Sequence, residues 1–133
     1  MASGIYERWK ANTWKKLHDM VNDTINIALY GASYTFTATD DFYTTTSEIA
    51  GVGGYTTGGA ALASKTVTEG ATAVWDAADP QWTSATFSTY FAAIYDVTPC
   101  NTLICALDFG GVQTVTSGTF TIVFASSGII RLT

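Results

Sequence analysis

The hydrophobic period of the chain changes once, near residue 23, and does not change back. Before that point Tyr6, Trp9, Trp14, Leu17 and Val21 recur at spacings of three, four or five, the stripe of an amphipathic helix. After it Ile25, Ile27 and Leu29 alternate with Asn26 and Ala28, the period of two that a half-buried strand requires. A chain with one helical signal at its start and β-type segments from there on must bury its apolar side chains between sheets.

The helical stripe predicts a helix over residues 6–20. Asn12 or Thr13 is placed to cap its second half, so regular helix is expected from about Thr13 with the preceding residues as an arm. Asn22-Asp23 marks its end. Residues 24–29 form the first strand. Residues 32–49, rich in Thr, Tyr, Phe and Asp, read as a long loop in which Asp40-Asp41 caps a brief helical turn.

Next comes Gly51-Val52-Gly53-Gly54-Tyr55-Thr56-Thr57-Gly58-Gly59, where glycine permits backbone angles that a side chain forbids. A phosphate-cradling role fails on pattern: no Gly-Lys-Ser/Thr follows, and the strand-before, helix-after context of a dinucleotide fingerprint is missing. The run reads as a hinge into a β-rich remainder.

Six further strands are expected over residues 61–68, 71–76, 86–96, 102–108, 118–125 and 128–132, each enriched in β-branched or aromatic residues with turn residues between. Phe120, Ile122 and Phe124 fall on one face of their segment, with threonines opposite. Short strands without intervening helices point to antiparallel pairing. The expectation is mainly β: one domain over residues 1–133, an antiparallel, jelly-roll-like β-sandwich of about seven strands with an N-terminal helix or arm over residues 1–22.

The charged fraction, 13% against about 25% in ordinary soluble domains, is the informative part of the composition. A free monomer normally covers itself with Lys, Glu, Arg and Asp. A surface of Thr, Ser, Gly, Ala and Tyr suggests that much of it faces other protein. Aromatic residues at 14% exclude wholesale disorder.

A net charge of −5 argues against a nucleic-acid partner. The basic residues are concentrated at Arg8, Lys10, Lys15 and Lys16, with Lys65 and Arg131 elsewhere. No stretch has the roughly 20 apolar residues of a membrane span, and no apolar run resembles a signal-peptide core, so no membrane partner is expected. Cys100 and Cys105 are expected as free thiols, as suits a protein made in a cytoplasm.

Chemistry finds little support. His18, the single histidine, falls beside Lys15 and Asp19 on the stripe and reads as a solvated or interface side chain. No Gly-X-Ser-X-Gly elbow occurs. Two cysteines and one distant histidine make no zinc spacing, and Asp76 and Asp79 before Pro80 fit a turn better than a calcium site. Paired carboxylates could serve glycoside hydrolysis, with Asp40-Asp41 beside a groove of Trp and Tyr, but nothing in the sequence pairs them. No catalytic residue, cofactor or metal is assigned. Trp75, Phe87, Phe91, Phe109, Phe120 and Phe124 are taken as core, and Trp82 and Tyr55 as exposed contacts.

Three blocks carry a resemblance: Thr24-Ile25-Asn26-Ile27-Ala28-Leu29, then Ser33-Tyr34-Thr35, then Glu48-Ile49-Ala50 running into the glycine segment. Tyr95-Asp96, Leu107-Asp108-Phe109-Gly110 and Val115-Thr116-Ser117-Gly118-Thr119-Phe120-Thr121-Ile122 continue it. Together they resemble a family of small virion proteins of tailed bacteriophages, over most of the chain except residues 1–11. The resemblance implies a non-enzymatic virion structural protein and no catalytic residues.

The leading expectation is a capsid decoration or cement protein that binds the major capsid protein, or another virion protein, as a homo-oligomer, with a trimer suited to threefold sites. Arg8, Trp9, Trp14 and Lys15 are the expected anchor, through aromatic burial and contacts to acidic capsid surface. The alternatives are a head-fibre, neck or tail component with host-contacting loops, and a carbohydrate-binding module using Trp82 and the tyrosines of residues 32–55.

Overall fold

The computed structural model describes residues 3–132. Its elements in chain order are β1 (Gly4–Ile5), α1 (Glu7–Trp14), β2 (Ile25–Tyr30), β3 (Ala60–Ala61), β4 (Thr66–Thr68), β5 (Ala73–Asp76), β6 (Gln81–Asp96), β7 (Thr102–Thr121) and β8 (Ile130–Leu132). The strands form two antiparallel sheets, one in the order β1-β7-β6-β2-β3 and one in the order β4-β5-β8. The molecule is therefore mainly β with one helix near the N-terminus, consistent with a β-sandwich.

The period of two in β2 aims Ile25, Ile27 and Leu29 into a core shared with Ile94, Ile104, Trp75 and Ile130, drawn from both sheets, and with Trp9 of α1. Each fully buried aliphatic side chain stabilises by about 1.5–3 kcal/mol relative to exposure. The opposite face of β2 is covered as well, contrary to the half-buried expectation. Ala28 and Tyr30 join Tyr6, Ala93, Tyr95, Leu103 and Ala106 in a second cluster, against which Tyr34, Phe36 and Tyr43 of the long loop pack. The aromatic content of that loop thus acts as a third layer over the larger sheet.

Three sequence expectations are corrected. The helix occupies residues 7–14 rather than beginning near Thr13: Lys16 turns left-handed at φ 62°, and the Leu17 N–H donates back to the Asn12 carbonyl. Neither Asn12 nor Thr13 starts a helix, and the Thr13 hydroxyl donates to the Trp9 carbonyl within α1. Asp19 then accepts from the Val21 and Asn22 N–H groups, holding a non-helical turn. Asp40-Asp41 caps no helix; the Asp40 N–H closes a turn on Thr37, and Asp41 pairs with Arg8.

The third correction concerns β7, which fuses two expected strands into one of 20 residues. Gly110 and Gly111, at φ 78° and 153°, and Ser117 at φ 47° are absorbed as bulges rather than turns. The strand β6, of 16 residues, pairs with it from Asp96↔Thr102 to Gln81↔Thr121, with register shifts along the way.

The glycine run is a seam rather than a hinge. A Cβ on Gly59 would lie 1.8 Å from the Ile27 carbonyl oxygen, and one on Gly53 would lie 2.1 Å from that of Thr86. Glycine allows residues 51–59 to press against the backbone of β2 and β6, and the Thr86 N–H donates to the Gly53 carbonyl. Glu48 fastens the run by accepting from the Gly58 N–H and the Tyr43 hydroxyl.

Candidate assembly surface

The four residues expected as an anchor are divided by the fold. Trp9 is 6% exposed and belongs to the core. Arg8 and Lys15 lie on the outer side of α1, around a shallow depression that also includes Asp41. The Arg8 guanidinium donates to Asp41 at 2.8 Å and sits 5.4 Å from the Phe42 ring centroid. Asp41 is held below the usual carboxylate range by that hydrogen bond, and Arg8 is raised by the same contact. Trp14, at the last helical position, is 93% exposed with the exposed Lys15 and Lys16 beside it.

The expected exposed contacts are not exposed. Trp82 is 5% and Tyr55 2% accessible, because Tyr55 packs between Trp82 and Phe87 while Trp82 also meets Phe120. The Tyr55 hydroxyl accepts the Leu29 N–H at 3.0 Å, which fixes it as an internal strut.

Next to α1, a groove of about 440 Å³ runs between residues 16–21 and the smaller sheet. Val21, Val67 and Leu132 line it at 43%, 53% and 61% exposure, with Trp75 and Ile130 at its floor. Scattered single apolar residues on a surface are ordinary, whereas three of them edge one groove here, whose lining includes Thr13 and Lys16 on either side of Trp14 in the sequence.

His18 is displaced from its expected solvated position. Its side chain is wholly buried and its Nδ1 lies 3.0 Å from Asp96 Oδ2, at the end of β6. Burial, and then a hydrogen bond that the protonated acid donates to the neighbouring Asp23, push the Asp96 carboxyl up to about 8. Burial pushes the His18 imidazole below its ordinary value. Both shifts favour uncharged forms near neutral pH, and the buried His18 Nε2 has no hydrogen-bond partner among the described residues. His18, Asp23 and Asp96, with ligand atoms within 4.8 Å of one another, are the described residues grouped closely enough to hold a cation.

Asp76 accepts from the adjacent Ala77 N–H, a local contact in line with its expected turn role, whereas Asp79 accepts from the distant Phe124 N–H and ties the segment after β5 to the one after β7. Cys100 is exposed in the β6–β7 turn and Cys105 is buried in β7, and both are free thiols.

The outer edge of β7 was not foreseen. The strand β1 covers it at Cys105 and Ala106, and no other described strand pairs with that side. The other side of the ribbon is closed by β6, whose own outer edge is partly covered by the glycine seam. Between Asp108 and Arg131 the sequence contains no charged side chain, the signal that could have revealed this edge.

No protein-family model matches the chain, no curated protein is similar to it, and no solved structure resembles it. No helix among the described residues is long and apolar enough to cross a membrane.

Proposed function

We propose that the protein is a non-enzymatic structural subunit of a bacteriophage particle, most specifically a capsid decoration protein that stabilises the assembled shell. The observation that carries this reading is Trp14, 93% exposed beside Lys15 and Lys16, on a chain whose charged fraction is 13%. Exposed tryptophan next to lysine is the composition of an interface centre and its electrostatic rim. The mechanism is mass action: a subunit that binds only the assembled shell stabilises it in proportion to its occupancy.

The anchor is narrower than the sequence suggested, since Trp9 serves the core and Arg8 is engaged by Asp41. Trp14, Lys15 and the apolar groove beside them form the contact surface, facing acidic protein on the shell. A fibre, neck or tail location uses the same surface against a different virion partner. The carbohydrate-binding reading, which rested on Trp82 and the tyrosines of residues 32–55, loses Trp82 and Tyr55 to the interior, and Tyr34 and Tyr43 are partly buried against the second cluster.

Removing residues 1–16 is unsuitable as a test, because it takes away β1, Tyr6 and Trp9 and with them part of both cores. The double variant Trp14→Ser/Lys15→Glu changes only exposed side chains. It should keep the wild-type melting temperature and lose most of its occupancy on purified particles. Full occupancy by a folded double variant would refute the anchor.

A further inference from the structure

We infer that the open edge of β7 pairs with the same edge of a second copy of this chain, joining two larger sheets across a twofold axis. The inference rests on the assembly reading above and names the contact between copies.

An edge strand presents unpaired N–H and C=O groups, and proteins block such edges with lysine, proline or covering segments. Here β1 stops opposite Ala106 and the Ser3 hydroxyl accepts the Asp108 N–H, and beyond Asp108 β7 carries no Lys, Arg, Asp, Glu or Pro. The bulges at Gly110-Gly111 and Ser117 bracket a regular stretch within residues 112–116, where Gln113, Thr114 and Val115 pair internally with Thr89, Ser88 and Phe87. Val112 on this stretch is 50% exposed.

What completes an edge of this kind is another strand, and charge selects which one. The chain has a net charge of −5, so copies repel wherever their acidic surfaces meet. The uncharged edge is the place where two copies approach with no like charges opposed. Antiparallel self-pairing is isologous, so it closes at two copies and replaces the trimer expected on threefold grounds. Centred on the regular stretch, the register puts Thr114 opposite Thr114 of the second copy, and Val112 opposite Thr116.

The register yields a chemical test. Directly opposed residues in an antiparallel pair have Cα atoms about 4.5–5.5 Å apart, within disulfide reach. Thr114→Cys, made together with Cys100→Ser, should form a covalent dimer under mild oxidation. Gln113→Cys in the same background lies opposite Val115 and should cross-link at least tenfold more slowly. No cross-link at position 114, or equal rates at 113 and 114, overturns the pairing.

Light scattering supplies the second arm. The wild-type chain should have the mass of two copies, and Thr114→Lys, with an unchanged circular dichroism spectrum, the mass of one. A wild-type chain of single-copy mass at every concentration overturns the inference. If that monomer still occupies phage shells, the assembly reading stands and only the β7 contact falls.

Discussion

Replacing Gly59 and Gly110 by alanine, one at a time, isolates what the glycine seam does. Both residues are left-handed, at φ 82° and 78°, so an alanine at either position meets the same backbone penalty of about 1–2 kcal/mol. Alanine also restricts the unfolded chain, which returns about 0.4–1 kcal/mol. Gly110 has nothing within 4 Å of its added Cβ, so the net cost there should be about 1 kcal/mol.

At Gly59 the new Cβ would sit 1.8 Å from the Ile27 carbonyl oxygen and 2.8 Å from the Ala28 Cα. Backbone on both sides leaves no flexible side chain to move away, so the seam must lift. Lifting it breaks the pairing of Asn26 and Ile27 with Ala61 and Ala60. Two or three hydrogen bonds at about 1 kcal/mol each bring the total to about 3–4 kcal/mol. Urea denaturation of both variants, followed by tryptophan fluorescence, measures the difference. Equal destabilisation within about 0.5 kcal/mol, the scatter of independent surface sites, would show that glycine serves conformation alone and that no close approach exists.

The remaining predictions follow from single contacts. Asp96, raised above its ordinary 3.8 to about 8, binds a proton more tightly folded than unfolded, so its contribution is full at acid pH and lost as pH rises through about 8. His18, lowered from its ordinary 6.5, acts oppositely, and its contribution is lost only as pH falls below about 6.5. Melting temperature should therefore fall between about pH 6.5 and 9, and Asp96→Asn, which mimics the protonated acid, should flatten that fall; an unchanged slope refutes the assignment. Trp82→Ala should destabilise by about 3–5 kcal/mol in urea titration, as a core aromatic does, whereas a loss below about 1 kcal/mol would return Trp82 to the surface. Tyr55→Phe should cost about 1–2 kcal/mol by leaving the Leu29 N–H unpaired, and a neutral result would remove the strut.

Much of the fold was legible because it follows from period. The alternation of β2 and the β-branched segments after residue 60 led directly to a two-sheet protein with a helix at its start. What local pattern could not convey was how far pairing runs. Gly110-Gly111 looks the same as a turn or as a bulge, and only the partner strand β6 decides that β7 continues through it. The helix end was misplaced for a similar reason, since Leu17 and Val21 keep a helical spacing that Asp19 overrides with a turn.

The site was harder to read than the fold. Exposure depends on what packs from elsewhere in the chain, so Trp9, Trp14 and Trp82 look alike in the sequence. Two are core and one projects into solvent, according to α1's orientation and the seam that brings Tyr55 onto Trp82. His18 was similarly hidden, because its partner Asp96 lies 78 residues away. The low charge was visible from the outset, and the uncharged β7 edge is its most concentrated expression.

Sedimentation of the purified full chain with phage shells stripped of it tests the central idea most directly. The account predicts saturable co-sedimentation, with shells that resist heating better once occupied. A folded chain that stays in the supernatant at every concentration, leaving shell melting unchanged, would contradict it.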